Sequence, residues 1–412
     1  MIDILGRRAR DAARLMATAG TAAKNAALLE AASRLTASSE NLIDVNAADM
    51  DQARQEGITG PLLDRLELTP ERIDGMAAGL TKVAALADPI GEVTEGWTFP
   101  NGIKASRVRV PLGVVAVIYE ARPNVTADAA ALCLKSGNAS LLRGSSYALR
   151  SNLAIGAILR DGLEAAGLPA DGVQVLEDTS REGARALMRA KAWVDLLVPR
   201  GGPNLLAAIE ADATVPVVID GAGNCHVYVD ATADLEMAAA IVVNAKTSRP
   251  GVCNAAEKVI VHREVADEFV PKVAKLLADA GVELRGDAAS QQLASVIKPA
   301  DEDDWPTEYL DLIMAIRVVP NLEEAIAHIN RYGTGHTEAI VTSDLNAADR
   351  FVARTDSAVV MVNASTRFTD GEEFGFGGEI GISTQKLHVR GPMGLRALTS
   401  ERYVLRGDGQ IR

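Results

Sequence analysis

The chain has little with which to build a metal site, a disulfide framework or a nucleic-acid surface. Its three cysteines (Cys133, Cys225 and Cys253) are too few for a disulfide scaffold, and with the five histidines they make no zinc-ligand spacing. Aromatic residues are only 4% of the chain, too sparse for stacking platforms. Basic residues number 42 against 55 acidic ones, and the net charge of −13 has the wrong sign for a phosphate backbone. Gly-Lys never occurs, which excludes a Walker A loop, and H-E-x-x-H and G-x-S-x-G are missing as well. The nearest approach to G-x-G-x-x-G is GAGNCH (221–226), which ends in histidine, so any dinucleotide is held by another device. No apolar run approaches the ~18 residues of a membrane span. The charged start MIDILGRRARDAARLMATAG has no signal-peptide core. These absences lead us to expect a soluble cytoplasmic protein of a reducing compartment, without a metal.

What is present is apolar and periodic. Hydrophobic residues are 48% of a 412-residue chain, enough for two substantial cores. Residues 1 to about 90 are Ala-rich with helical spacing. WTFPNGIKASRVRVP (97–111) carries an Asn-Gly turn between alternating stretches and predicts a hairpin arm. From Gly113 short β-branched runs alternate with helical segments: GVVAVIYE, ASLLR, VQVLE, VDLLVPR and PVVID, then, after HVYVD (226–230), EKVIVH, IRVVP, EAIVT and AVVMVN. This alternation predicts two α/β domains with mostly parallel sheets and a boundary near 228–232. Residues 285–312 match no pattern, and the Gly-rich stretch from 364 predicts ordered loops rather than regular elements.

Two features carry chemistry. Cys253 sits in NAKTSRPGVCNA between a helix and a strand, with Lys246 and Arg249 upstream, cations that favour a thiolate. By themselves these residues leave open whether Cys253 is a nucleophile or a structural thiol. Cys133, inside AALCLKSG, predicts a core residue, and Cys225, in a Gly-flanked turn, predicts packing near the same site. In this acidic chain, arginines stand in turns at strand ends: Arg122, Arg143, Arg200, Arg249 and Arg367. Beside Gly and Ser they suit phosphates and carboxylates at the carboxyl ends of strands. The residues thus point to a thiol enzyme acting on polyanionic ligands.

VIYEARPNVTADAAALCLKSGNASLLRG, VPRGGPNL, GAGNCHVYVD, NAKTSRPGVCNA and VNASTRFTDGEEFGFGGEIGISTQKLHVRGPMGL together resemble the γ-glutamyl phosphate reductase branch of the aldehyde dehydrogenase superfamily, over nearly the whole chain. The resemblance implies a cofactor-binding domain (1–99 and 114–228) and a catalytic domain (229–364). Gly-rich loops (365–396) would return toward the active site, and residues 100–113 with 397–412 would form an oligomerisation arm. It implies Cys253 as nucleophile, with Asn124 and nearby backbone N–H groups holding the oxyanion. Arg143, Gly144 and Ser145 would meet the adenosine ribose, and Arg200, Gly201 and Gly202 the pyrophosphate. An Arg at the ribose favours NADP(H) over NAD(H). Arg122, Arg249, Asn363, Ser365, Thr366, Arg367 and Lys386 are the candidates for substrate phosphate or carboxylate. The family's water-activating Glu has no counterpart in IDGAGN; Asp220 is near that place, and the base role is not carried onto it.

The implied activity is NADPH-dependent reduction of L-γ-glutamyl 5-phosphate to L-glutamate 5-semialdehyde with release of phosphate, the second step of proline biosynthesis from glutamate. The enzyme would be a homo-oligomer, and association with the glutamate kinase that makes its substrate is left open. A hydrolytic or CoA-acylating aldehyde dehydrogenase, and an inactive scaffold relative, are the alternatives.

Overall fold

The computed structural model describes residues 1–219 and 221–412, so Asp220 lies outside the described residues. The Ala-rich start forms five helices, Ile2–Met16, Thr21–Ala37, Ser39–Gln55, Pro61–Leu66 and Pro70–Ala85. The last begins where Thr69 accepts from the Arg72 N–H and Pro70 takes the first helical position. The hairpin comprises β1 (Val93–Thr98) and β2 (Lys104–Pro111), turning at Gly102, whose φ of +89° suits glycine.

A four-stranded sheet follows from β3 (Val114–Tyr119), β4 (Ala139–Arg143), β5 (Val173–Val175) and β6 (Leu196–Arg200). Its order is β5-β4-β3-β6 and every pair is parallel. Among the described residues of PVVID, 216–219, no strand forms; a single bridge joins Val217 to Leu197 of β6.

The second sheet has seven strands: β7 (Cys225–Val229), β8 (Ala256–His262), β9 (Glu283–Gly286), β10 (Lys298–Pro299), β11 (Ile313–Val319), β12 (Thr337–Val341) and β13 (Val359–Val362). Its order is β10-β9-β11-β8-β7-β12-β13, again all parallel. The unpatterned stretch 285–312 thus supplies edge elements, too short for a periodic signal. The Gly-rich region yields only β14 (Ile382–Ser383) and β15 (Gly391–Pro392). Finally β16 (Thr399–Arg406) lies antiparallel to β2, joining the tail to the hairpin.

The chain divides into two compact units, one of Met1–Ile219, Gly375–Gly381 and Met393–Arg412, the other of Asp220–Phe374 and Ile382–Pro392. The break therefore precedes the expected 228–232. The reason is hydrogen bonding: β7 pairs with β8 and β12 and is an inner strand of the second sheet. The Gly-rich stretch 365–396 is likewise shared between the units rather than forming one body.

Candidate active site

In the first unit, the turns after β3, β4 and β6 meet at one sheet edge, because these strands are neighbours and parallel. Arg122 caps the helix Pro123–Lys135, and its N–H reaches Glu120 O at 2.7 Å. Asn124, exposed on that helix, donates from Nδ2 to Asp128 Oδ2 at 3.0 Å. Burial raises the Asp128 pKa, while the Asn124 bond and the charge of Arg200 act the other way. Arg143 donates from Nη2 to the carbonyls of Thr179 and, at 3.0 Å, Ser180. Burial lowers its pKa and Asp178 partly offsets this. Among the described residues, Arg143 Nε and Ser145 Oγ are buried without a hydrogen-bond partner. A Cβ on Gly144 would run into Asn152, and one on Gly201 would press on Glu120 and Leu205. Gly202 caps the helix Pro203–Asp212 and gives its N–H to Glu120 Oε1 at 3.2 Å. These turns offer unspent donors and a helix N-terminus, which fit an anionic dinucleotide.

In the second unit, Cys253 lies in the turn between the helix Leu235–Thr247 and β8, half-buried and free of any disulfide. Asp234 starts that helix by accepting from the N–H groups of Glu236 and Met237, both at 3.0 Å. Lys246 in its last turn pairs with Glu257 on β8 (Nζ to Oε2, 3.0 Å), both fully buried, so one ion pair closes the base of the loop. Burial lowers the Lys246 pKa and raises that of Glu257.

Four side-chain bonds tie this turn to residues 363–370. Ser365 Oγ donates to Asn244 Oδ1 (2.7 Å), Thr366 Oγ1 to Asn254 O (2.6 Å), Asn254 Nδ2 to Thr369 O (2.8 Å) and Arg367 Nε to Ser248 Oγ (2.9 Å). Two distant motifs, SRPGVCN and STRFTD, are thereby brought together. Burial and then Arg249 lower the Arg367 pKa, while Asp370 and Cys253 act to raise it, so these groups share one electrostatic neighbourhood. Arg249 itself is exposed ahead of β8, at an amino end, contrary to the expected carboxyl end. Asn363 holds φ at +54° and spends its amide on the N–H and carbonyl of Thr342, both at 2.9 Å.

Sequence reasoning missed Gly223. A Cβ there would overlap the Cys253 carbonyl, so the Cys253 turn rests directly on glycine backbone, and the Gly223 N–H is held by Glu308 Oε1 at 2.6 Å. Cys225 donates from Sγ to Cys253 O at 3.1 Å, and burial pushes its pKa well above the ordinary value. It packs beneath the turn, as its sequence position suggested. Cys133 is fully buried with its pKa pushed up to about 12, an inert core thiol. Lys258 on β8 is also fully buried; burial drives its pKa down to about 7, with Nζ donating to Thr307 O at 2.6 Å. Among the described residues no group of His, Cys, Asp and Glu could hold a metal, and no helix is long and apolar enough to cross a membrane.

Comparison with known proteins agrees with this geometry. The model of the aldehyde dehydrogenase family matches residues 2–305 and 305–402. The γ-glutamyl phosphate reductase of Moorella thermoacetica is 56% identical over 411 residues, covering 100% of this chain and 98% of that protein. The crystal structure of γ-glutamyl phosphate reductase from Thermotoga maritima superposes with a TM-score of 0.98 at 46% identity, covering 100% of this chain and 99% of that one. An engineered glycolyl-CoA reductase with bound NADP+ shares the fold at a TM-score of 0.68 and 18% identity, over 98% of this chain and 96% of that one.

Proposed function

Because the chain belongs to the aldehyde dehydrogenase family, in its γ-glutamyl phosphate reductase branch, we propose that it reduces L-γ-glutamyl 5-phosphate to L-glutamate 5-semialdehyde through a thioester on Cys253. The observation that carries the reading is the Cys253 turn, braced by STRFTD with Arg367 in its electrostatic neighbourhood. The Cys253 thiolate adds to the γ-acyl carbon, and the C–O bond to phosphorus breaks with its electron pair, releasing inorganic phosphate. Arg249 and Arg367 are suited to that leaving anion, and backbone N–H groups of the turn to the tetrahedral oxyanion. Asn124 remains a candidate second oxyanion donor. NADPH, when bound, supplies the hydride for the thioester carbon. Collapse of the resulting thiohemiacetal oxyanion breaks the C–S bond, frees the aldehyde and returns the thiolate.

Residues Arg143–Ser145 and Arg200–Gly202 would hold the cofactor, a reading supported by the unpartnered Arg143 Nε and Ser145 Oγ. An Arg at that place favours the 2′-phosphate of NADP(H). In this reading the first unit is the cofactor domain and the second the catalytic one. The β1-β2-β16 sheet is the oligomerisation arm, supported by its exposed Trp97, Tyr403 and Leu405. Association with the glutamate kinase would hand over the acyl phosphate before it hydrolyses. The deciding assay runs the reaction backwards: semialdehyde oxidation with NADP+ should require inorganic phosphate. Oxidation at equal rate without phosphate would favour the hydrolytic alternative.

A further inference from the structure

The loops that precede β8, β7, β12 and β13 share one edge of the second sheet, since those strands are adjacent and parallel. Cys253 occupies the first of these loops. At the other end is a cleft of ≈ 270 Å³ lined by Asn330, Thr334, Asp356, Thr384, Lys386 and Arg390, among others. The two places are connected by backbone. Gly223 lies against the Cys253 carbonyl, and its neighbour Asn224 donates its N–H to Thr334 Oγ1 at 3.1 Å. Asn224 also spends Nδ2 on Trp305 O and Tyr332 O, both at 2.8 Å, so the connection is fixed.

The cleft carries two cations and one carboxylate. Asp356 pairs with Lys386 (2.6 Å) and with Arg390 (3.0 Å), and Arg390 also donates to Asp356 O at 3.1 Å. Arg390 Nε is buried without a partner among the described residues, an unspent donor in a cationic wall. The Asp356 backbone is held in turn by Asn330, whose Oδ1 accepts its N–H at 3.1 Å. None of Asn330, Thr334, Asp356 and Arg390 was singled out by the sequence.

We infer that this cleft binds the α-amino acid head of the substrate, Arg390 and Lys386 taking the α-carboxylate and Asp356 the α-ammonium. The inference rests on the proposed reductase reading and adds to it the determinant of which acyl phosphate is accepted. A zwitterion placed among two cations and one carboxylate adds three ion pairs to the two already present, and the surplus positive charge favours the carboxylate end. Thr334 and Asp356 precede β12 and β13, two and three strands from β8, so at ~4.8 Å per strand the cleft lies about 10–14 Å along the edge from the Cys253 loop. An extended γ-glutamyl chain sets its carboxylate about 5 Å from its acyl carbon, and in this inference the Cys253, Lys386 and Arg390 side chains span the remainder. The phosphate then leaves on the Arg249 and Arg367 side, so the two anionic ends of one substrate are bound by separate cations.

Steady-state oxidation of the semialdehyde with NADP+ and phosphate, measured for Arg390→Gln, Arg390→Lys and Lys386→Ala, tests this. Arg390→Gln should raise the KM for the semialdehyde roughly 10- to 100-fold, as loss of a charge-assisted contact does. The KM values for phosphate and NADP+ should stay within about twofold. Arg390→Lys should recover part of the loss, and Lys386→Ala, a surface change that leaves folding intact, should show the same selectivity more weakly. An unchanged semialdehyde KM in both Arg390→Gln and Lys386→Ala overturns the inference. So does a rise in the phosphate KM instead, which would make the cleft the phosphate site. If the wild-type protein shows no phosphate-dependent oxidation, the reductase reading itself falls and takes this one with it.

Discussion

Strand β3 of the first sheet reads Val-Val-Ala-Val-Ile-Tyr, buried along its whole length and without a charge, whereas β7 and β8 of the second bury His226, Glu257 and Lys258 among equally apolar neighbours. Both sheets are parallel and covered by helices, and hydrophobic burial alone would serve either. Ionised groups in such a place cost several kcal/mol each in desolvation, and a buried pair repays this only with good geometry. The second unit carries that cost beside the loop it has to hold. Lys246 and Glu257 bracket residues 248–256 from both sides, and Glu338 holds His226 at 2.9 Å on the neighbouring strands. The first sheet buries only uncharged polar side chains, Ser140 and Gln174, among its described residues, and its arginines Arg143 and Arg200 stand half-buried at strand ends. One sheet leaves donors in the turns at its edge; the other holds the Cys253 loop, which the proposed function makes the reactive one.

Cys253→Ser breaks this contrast most severely. Turnover should fall at least about 10³-fold, since removing a nucleophile leaves only binding and oxyanion stabilisation. Its melting temperature should stay near wild type, and a variant retaining phosphate-dependent activity would remove Cys253 from the mechanism. Gly223→Ala comes next. The added methyl must displace the Cys253 carbonyl, and a shift of ~1 Å at a reacting group costs on the order of 10²-fold in kcat. Unchanged kcat would show that the turn adapts. Arg143→Ala probes the first unit: the preference for NADPH over NADH, measured as a ratio of kcat/KM values, should drop about 10- to 100-fold. Equal, slight effects on both cofactors would return Arg143 to a plain strand-end role on the carbonyls of Thr179 and Ser180.

The periodicity of the chain made most strands and helices legible, because buried parallel strands are short β-branched runs. It failed at PVVID, whose described residues meet β6 only through the Leu197–Val217 bridge and do not extend it into a ladder. It also set the domain boundary inside HVYVD, which forms an inner strand of the second sheet. Strand identity is local, but sheet membership depends on pairing with residues more than a hundred positions away. Cys253 and Arg367 were legible as chemistry and their joining was not, because Asn254, Thr366 and Ser248 have side chains too common to signal anything alone. Gly223 stood in a quoted motif, yet only the close approach to Cys253 gives it a purpose. Asp356 carried no signal at all; an aspartate in a turn is the commonest of surface residues.

The buried lysine gives the subtlest test of the contrast between sheets. Lys258 has its pKa driven down to about 7 by burial, against the ordinary 10.5, with Glu257 and Asp304 opposing the shift and Lys246 adding to it. Between these two values the unfolded chain keeps the proton that the folded chain has lost. Stability therefore rises with pH through that window, at up to about 1.4 kcal/mol per pH unit. Below about pH 7 both states are protonated and the contribution is flat, with the folded state bearing the charged group. Replacing the lysine by methionine, Lys258→Met, keeps the volume and removes the titration. Urea unfolding at intervals from pH 6.5 to 9.5 should show the wild-type rise and a flatter profile for the variant. At pH 7 the variant should be at least as stable as wild type, because among the described residues Nζ is held by Thr307 O and the Tyr309 ring 4.3 Å away. A variant with the same slope as wild type would mean that Lys258 keeps its proton when folded. Lys246 and Lys258 would then both be fully ionised partners of Glu257, and the cost of holding the Cys253 loop correspondingly larger.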